Sequence, residues 1–174
     1  MCIRDRDKIE IADVVYKYCR AIDRMDRELL ESVFHEDSIH HHGEYEGPSS
    51  DFCNFAFDIL SEMEFTQHLV GNLLIEVDGD TAWSEAYWTA YHRIAKGKES
   101  DMGFLAEHDS SIDEDVFVSG RYIDRFERRN GEWKIAKRQG VHDWVRFEPA
   151  NEKGQLEAAG PTASRSRQDP AYQR

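Results

Sequence analysis

The hydrophobic pattern of this chain changes its period once, close to Glu64, and this change is the strongest constraint on its fold. Before Glu64 the apolar residues recur every three or four positions, as in amphipathic helices, and after it they follow long strand-like runs. Helices are predicted over residues 7–23, 27–34 and 50–63. Helical segments that precede the strands, instead of alternating with them, are typical of an α+β fold.

Two hairpin turns organise the strand half of the sequence, at Asp78-Gly79-Asp80 and at Asn130-Gly131. Asn-Gly is the strongest two-residue signal for a β-hairpin. The strands joined by these turns are predicted over residues 65–77, 81–95, 117–128 and 132–147. These runs carry aromatic residues on both faces, so they predict a curved antiparallel sheet that is covered on both sides.

The composition excludes several classes of function. The chain has 174 residues with 22 Lys+Arg against 35 Asp+Glu, a formal net charge of −13, which disfavours nucleic-acid and anionic-membrane partners. No apolar run approaches the roughly 20 residues of a membrane span. Cys2, Cys19 and Cys53 show no CxxC spacing, so neither a disulfide framework nor a zinc site is expected. We expect a soluble, cytoplasmic protein.

The two ends of the chain differ in character from its middle. Residues 1–6 resemble the translation of a sequencing adaptor, found at the starts of genes from metagenomic reads, and are interpreted as non-native. Residues 149–174 are rich in small and polar residues and contain Pro161 and Pro170, which predicts an extended tail. One domain is therefore predicted, over residues 7–148.

Asp23 and His68 are ionisable residues at positions where burial is expected. Asp23 ends the first predicted helix at its apolar margin, and His68 lies inside the first long strand. An imidazole backed by a carboxylate is a competent general base, because the carboxylate fixes the tautomer and stabilises the imidazolium. On spacing alone, a His that bonds a backbone carbonyl and an Asp that caps a helix end are the more common arrangement.

The run His40-His41-His42 raises the question of a metal site. On a strand, His40 and His42 share a face, and two imidazoles two residues apart can chelate a metal. No motif supplies a further ligand, so no metal is expected; His42 is interpreted as a pocket wall and His41 as exposed. His35 and His108 are expected at solvated loop positions.

Other residues are candidates for substrate contact and not for bond chemistry. They are Trp88 on the second predicted strand and His142 on the last strand, where the alternative for His142 is simple exposure. No phosphate-binding glycine loop, nucleophile elbow or dinucleotide fingerprint occurs in the sequence. Any chemistry is therefore expected to be cofactor-free proton transfer in a mostly apolar pocket.

Several short motifs together resemble the SnoaL-like branch of the nuclear transport factor 2 superfamily. They are Tyr18-Cys19-Arg20-Ala21-Ile22-Asp23-Arg24-Met25-Asp26, Phe34-His35-Glu36-Asp37, Thr66-Gln67-His68, Gly79-Asp80-Thr81-Ala82, Gly120-Arg121-Tyr122-Ile123-Asp124-Arg125-Phe126 and Gly131-Glu132-Trp133-Lys134-Ile135. The resemblance runs from about Ile9 to Trp144. It implies an α+β barrel, a cone-shaped curved sheet around a pocket that the three N-terminal helices close.

The enzymes of this branch include scytalone dehydratase, hexachlorocyclohexane dehydrochlorinase and bile-acid 7α-dehydratase. In these lyases an Asp at the end of the first helix pairs with a His on the first long strand, and Asp23 and His68 occupy those places. Tyr18 matches a Tyr of the bile-acid dehydratase type, where the dehydrochlorinase type has Lys, which favours oxygen leaving groups; its alternative is a core aromatic. His92 is the nearest counterpart of a second pocket His. The resemblance implies no metal and no cofactor.

Two functions of different classes remain open at this point. One is a cofactor-independent lyase or isomerase that removes a proton from carbon in a hydrophobic cyclic substrate. The other is a non-catalytic small-molecule binder or the scaffold (β-type) subunit of a ring-hydroxylating oxygenase, because fold alone does not determine function. The presence of both Asp23 and His68 favours the lyase.

Two further expectations concern the assembly of the protein and its C-terminal tail. A long sheet with aromatic residues on both faces has too few helices to cover it, so a homo-oligomer is expected, a trimer first and a dimer as the alternative. The tail is expected to fold over the pocket mouth or onto a neighbouring subunit, with Leu156 and Tyr172 as anchors.

Overall fold

The structure, a computed structural model, describes residues 3–99, 106–151 and 163–173. The helices are α1 (Ile3–Arg24), α2 (Arg27–Ser32) and α3 (Ser49–Ser61), and a short 3₁₀ turn spans Pro170–Tyr172. The strands are β1 (Phe34–His42), β2 (Tyr45–Pro48), β3 (Phe65–Asp78), β4 (Thr81–Ile94), β5 (Glu114–Arg129) and β6 (Glu132–Pro149). The predicted α+β class is confirmed.

The described strands form one curved, open sheet in the order β2-β1-β6-β5-β4-β3. The two predicted hairpins form β3–β4 and β5–β6, and the second turns at Asn130 and Gly131, both with positive φ (55° and 84°). Such φ values are those of the tight turns that match the twist of a hairpin.

The sequence interpretation did not include β1 and β2. β1 pairs in parallel with β6, far away along the chain, while the other described pairs are antiparallel.

The helices cover the inner face of this sheet with the apolar stripes that their spacing predicts. α1 packs on β3 and β6, and α3 packs on β1 and β2. α1 begins at Ile3, earlier than predicted, and Asp7 in its first turns is buried, where it accepts hydrogen bonds from Arg128 (2.8 Å) and Trp133 (3.2 Å). α2 is capped by Asp26, whose side chain accepts from the Leu29 N–H.

Arg138 and Asp124 form a fully buried ion pair at the centre of the molecule. Arg138 Nε donates to one Asp124 oxygen (2.7 Å) and Nη2 to the other (2.6 Å), with both side chains 0% exposed. The guanidinium lies 4.0 Å from the Tyr18 ring centroid and 4.2 Å from that of Tyr122. Burial would lower the pKa of Arg138, but the Asp124 carboxylate outweighs burial and holds that pKa above its ordinary value. The pair therefore joins β5, β6 and α1.

The described end of the chain packs against the helices of the same chain. The Tyr172 hydroxyl donates to Asp26 (2.8 Å), and Arg24 Nε lies 3.2 Å from an Asp169 oxygen. Tyr172 thus acts as an anchor, at the junction of α1 and α2, whereas Leu156 lies outside the described residues. Among the helices of the described residues, none has the length and apolarity that crossing a membrane requires.

We expect Asp124→Ala to lower the free energy of unfolding by about 3 to 5 kcal/mol, because it leaves the Arg138 charge buried without its partner. The measurement is urea unfolding followed by circular dichroism. The double variant Asp124→Ala/Arg138→Met removes both charges and should recover much of this loss. A double variant as unstable as the single one would contradict this account of the pair.

Candidate active site

A cavity of about 570 Å³ lies between the helices and the inner face of the sheet. Its volume is within the range typical of small-molecule sites. Most of the lining is apolar or aromatic, with four histidines among it. The lining residues are Tyr18, Ile22, His42, Gly43, Glu44, Phe52, Phe55, Ala56, Ile59, Leu60, His68, Trp88, His92, Glu107, Val118, Tyr122, His142, Asp143, Trp144, Val145 and Phe147.

Asp23 holds His68 through two hydrogen bonds. One carboxylate oxygen accepts from the His68 backbone N–H (2.8 Å), and the other lies 2.8 Å from His68 Nδ1. α1 packs on β3, so the last turn of the helix meets the start of that strand. A carboxylate only accepts hydrogen bonds, so Nδ1 carries a hydrogen, and in the neutral form of the ring Nε2 has the lone pair. The two side chains are only 10% (His68) and 12% (Asp23) exposed.

Trp88 and His92 on β4 flank His68. The His68 ring centroid lies 6.4 Å from that of Trp88 and 5.5 Å from that of His92. In the sheet, His68 pairs with Ala90, which lies between these two residues on the same face, and this small side chain leaves room for the imidazole. Burial lowers the pKa of His92 to about 3, so its imidazole is neutral at physiological pH.

His42 and His142 form a second pair of imidazoles near Trp88. Their ring centroids are 4.8 Å apart, and they lie 6.3 Å (His42) and 5.6 Å (His142) from that of Trp88. Burial lowers the pKa of His42 to about 3, and it lowers that of His142 as well. A Cβ at Gly140 would lie 2.5 Å from His42 Nδ1, so the His42 ring can lie against β6 only because residue 140 is glycine.

Tyr18 lies on α1 at the floor of the cavity and is 2% exposed. Its ring packs on the Arg138 guanidinium and edge-on against Tyr122, at a centroid distance of 5.4 Å. Burial raises the pKa of Tyr18, so the phenol keeps its proton and can donate it in a hydrogen bond. Tyr18 is thus both a core aromatic and a cavity residue.

This one cavity is lined by five of the six predicted site residues: Tyr18, His42, His68, Trp88 and His142. The sixth, Asp23, lies behind His68. His40, on the same face of β1 as His42, is fully buried and stacks on Phe52 at 3.4 Å. Within the described residues, no group of three or more His, Cys, Asp or Glu side chains could hold a metal ion.

The expectation that His108 is solvated was wrong. Its side chain is 2% exposed, and Nδ1 lies 2.7 Å from a Glu114 carboxylate oxygen. His35 also differs from expectation, since its Nε2 lies 2.8 Å from the Glu127 carbonyl oxygen in a half-buried position. Both residues act in structural contacts away from the cavity, because neither lines it.

Sequence reasoning missed several lining residues, above all Tyr122 and the three acidic residues Glu44, Glu107 and Asp143. Tyr122 shares the inner face of β5 with Val118, so its alternation in the strand was a usable signal. The acidic residues carried no such signal, because their sequence positions resemble those of any exposed loop or strand end. The lining has no Lys or Arg among the described residues.

The neutral buried imidazoles predict a loss of stability in mild acid. In the unfolded chain His42 and His92 take up protons near the ordinary His pKa of about 6.5, whereas in the folded protein they do so only near pH 3. The unfolded state therefore binds more protons between these values, and the free energy of unfolding falls as pH falls, by up to about 1.4 kcal/mol per pH unit for each residue. Urea unfolding at pH 7, 6 and 5 measures this slope.

His92→Gln, which cannot take up a proton, should give a shallower slope than the wild type. Equal slopes in the two proteins would contradict the buried neutral state of His92.

Comparison with known proteins agrees with this architecture. The family model of the SnoaL-like domain matches residues 4–139. Similar solved structures include a type 2 hexachlorocyclohexane dehydrochlorinase, with a TM-score of 0.70 and 19% identity over 88% of this chain and 96% of that one. Another is a candidate scytalone dehydratase from Novosphingobium aromaticivorans, with a TM-score of 0.66 and 20% identity over 88% and 97% of the two chains.

A type 3 hexachlorocyclohexane dehydrochlorinase from Novosphingobium barchaimii is also similar, with a TM-score of 0.63 and 20% identity over 84% of this chain and 92% of that one. At such identities the likeness shows the fold alone. Comparison with curated protein sequences gives no match. The family match covers most of the chain, from α1 to the first part of β6, so the chain belongs to the SnoaL-like family of the nuclear transport factor 2-like superfamily.

Proposed function

We propose that the protein is a cofactor-independent lyase of the dehydratase type, which removes a proton from carbon in a hydrophobic cyclic substrate. The observation that carries this proposal is that the Asp23 carboxylate accepts hydrogen bonds from both the ring Nδ1 and the backbone N–H of His68, beside an apolar cavity. Dehydratase and dehydrochlorinase are also the activities named for similar structures, which supports lyase chemistry as the general class.

His68 acts as the general base in this proposal. Its Nε2 lone pair takes the proton from carbon, the C–H electron pair becomes the new C=C bond, and the C–O bond breaks at the neighbouring carbon. Asp23 stabilises the imidazolium that forms and keeps the ring in the reactive tautomer. Tyr18 donates a hydrogen bond to the departing oxygen, which leaves as water once it receives the proton that His68 holds.

His42, Trp88 and His142 bind the substrate in this proposal. Trp88 lies near His68, His42 and His142 and offers a flat apolar surface, while the neutral imidazoles of His42 and His142 can bond to a hydroxyl or carbonyl. The acidic residues of the lining and the absence of Lys and Arg among the described ones favour an uncharged substrate over an anionic one.

The alternative function, a non-catalytic binder or an oxygenase scaffold subunit, needs the same cavity but no base. The buried carboxylate of Asp23 favours the lyase over the binder, since binding an apolar ligand gives no reason to place a charge behind an imidazole. A panel of hydroxysteroids, hydroxyketones and halogenated alicyclic compounds, examined by mass spectrometry for loss of water or acid, identifies the reaction. Binding without any loss would favour the binder.

His68→Ala should lower kcat by a factor of about 10² to 10⁴ on a substrate found in this panel, because a positioned general base contributes that much. Asp23→Asn should lose nearly as much, since an amide can donate to Nδ1 and so stabilise the wrong tautomer. Tyr18→Phe should lose less, because it removes one hydrogen bond to the leaving oxygen. Steady-state kinetics with circular dichroism as a fold check measures all three.

His41→Ala is the matched control, because His41 neighbours His42 on β1 but does not line the cavity. Its kcat should equal that of the wild type. Turnover by His68→Ala at the wild-type rate would remove His68 from the role of base.

We further propose that the protein forms a homo-oligomer through the outer face of the sheet, a trimer first and a dimer as the alternative. Large apolar side chains on the outer face of β3, β4 and β5 are 40% to 67% exposed in one chain: Leu69, Leu74, Trp83, Tyr87 and Ile123. An apolar patch of this kind marks an interaction surface.

Light scattering after size-exclusion chromatography should therefore give a multiple of 20.3 kDa at micromolar concentration. Tyr87→Glu, which places a charge in the centre of this face, should shift the protein towards the monomer. A single 20.3 kDa species for the wild type would contradict the proposal.

A further inference from the structure

Two polar atoms of the cavity lining have no hydrogen-bond partner. Nδ1 of His42 and Nε1 of Trp88 are buried, and neither makes a hydrogen bond to any residue that the structure describes. The two rings stack with their centroids 6.3 Å apart, and both residues line the candidate active site. A buried polar atom without a partner costs free energy, so such atoms indicate the chemistry of a ligand that the site is built to hold.

The edge of the His42 ring that carries Nδ1 faces β6. A Cβ at Gly140 would lie 2.5 Å from Nδ1, 2.8 Å from Cγ and 3.0 Å from Cε1, so these atoms rest on the glycine. The opposite edge of the ring, with Cδ2 and Nε2, is therefore turned away from β6. Since His42 is only half-buried and lines the cavity, this opposite edge is the one that a ligand meets.

The surroundings of Nδ1 decide which nitrogen of His42 carries the hydrogen. A neutral imidazole has one N–H donor and one acceptor nitrogen. A buried N–H without an acceptor is rarer in proteins than a buried acceptor without a donor, so the hydrogen belongs on Nε2 and the lone pair on Nδ1. Burial lowers the pKa of His42 to about 3, so the ring is neutral at physiological pH. His42 therefore presents an N–H donor to the cavity.

Trp88 and His68 complete the pattern of donors and acceptors. The indole N–H of Trp88 only donates, so its partner must also be an acceptor. His68 is the opposite case, because its Nδ1 donates to Asp23 and the Nε2 of its neutral ring accepts. The ring centroids of His42 and His68 lie 6.3 Å and 6.4 Å from that of Trp88, so one ring-sized ligand beside Trp88 can contact both imidazoles.

We propose that the substrate carries a carbonyl group and that His42 recognises it, by donating a hydrogen bond from Nε2 to the carbonyl oxygen. The inference rests on the proposed role of His68 as the base, and it names the substrate class: a cyclic ketone with a hydroxyl group on the β carbon. His68 takes the proton from the α carbon, the C–H pair forms a C=C bond to the carbonyl carbon, and the C=O π pair moves to the oxygen. The hydrogen bond from His42 stabilises the enolate that forms.

Loss of the hydroxyl group completes this reaction. The pair on the enolate oxygen re-forms C=O, the C=C pair moves between the α and β carbons, and the C–O bond of the β carbon breaks. The hydroxyl, bonded by Tyr18, leaves as water with the proton that His68 held. A halogenated hydrocarbon offers no strong acceptor to His42, and a site built to bond an oxygen rejects an analogue that lacks it. His42 therefore favours oxygenated substrates.

The test uses 1-tetralone, a bicyclic ketone without a leaving group, and tetralin, the same skeleton without oxygen. Quenching of tryptophan fluorescence measures their dissociation constants, and the infrared spectrum of the bound ketone reports on its C=O bond. On the wild type the C=O band should shift to lower frequency. His42→Phe should abolish this shift and weaken ketone binding about tenfold, while the binding of tetralin should change by less than about twofold.

His42→Gln is the conservative variant, because its amide N–H reaches close to the position of Nε2, and it should keep most of the band shift. His41→Phe is the matched control, since it makes the same substitution one residue along, on the opposite face of β1, and should behave like the wild type. The tautomer is measured in the wild type by NMR of ¹⁵N-labelled histidine, with the His42 signal assigned by its absence from His42→Gln. The hydrogen should lie on Nε2, a readout that does not depend on the folding of His42→Phe.

Exchange of the α hydrogens of 1-tetralone in D₂O separates this inference from the proposed function. His68→Ala should stop the catalysed exchange but keep the band shift, whereas His42→Phe should lose the shift and slow the exchange by about 10². A band shift without exchange in the wild type would refute His68 as the base and leave carbonyl recognition by His42 established. An unshifted band, no binding of the ketone at millimolar concentration, a hydrogen on Nδ1 of His42, or an equal loss in His41→Phe would overturn the inference.

Discussion

The buried pair of Arg138 and Asp124 is the interaction on which the candidate site depends most. A charge pair of this kind adds little stability compared with apolar side chains, but it strongly penalises any packing in which either charge loses its partner. The guanidinium packs on the rings of both Tyr18 and Tyr122, so the pair sets the position of α1 on the sheet. Asp23 lies at the end of that same helix, and the position of α1 therefore decides whether its carboxylate reaches His68.

The cavity keeps most of its titratable side chains neutral. His42 and His92 have pKa values near 3 because they are buried, and the phenol of Tyr18 keeps its proton for the same reason. A neutral lining is suited to an apolar substrate, since it offers hydrogen bonds without the desolvation penalty of charges. Asp23 places a carboxylate behind His68, and the acidic side chains of Glu44, Glu107 and Asp143 also line the cavity.

Small residues in the sheet make this crowded arrangement of rings possible. Gly140 lies opposite His42, Gly120 lies opposite both His142 and Trp88, and Ala90 lies opposite His68. A Cβ at Gly120 would lie 2.0 Å from the Val141 carbonyl oxygen and 2.9 Å from Trp88 Cζ2, so residue 120 must be glycine. The rings therefore pack over sheet positions that have no side chain or only a methyl group.

Sequence alone determined the helices, the two hairpins and the α+β class, because their signals are local: apolar spacing within a helix and turn residues between strands. The same local signals, with the family motifs, indicated Asp23, His68 and Tyr18. β1 was not predicted because its many polar residues obscure the alternation of apolar and polar side chains that indicates a strand. Its partner β6 is also distant in sequence. The burial of His108 and the contact of Arg165 with α3 were decided only by the tertiary structure. Both bring together groups from separate elements, and no local pattern records which distant group a charged side chain meets.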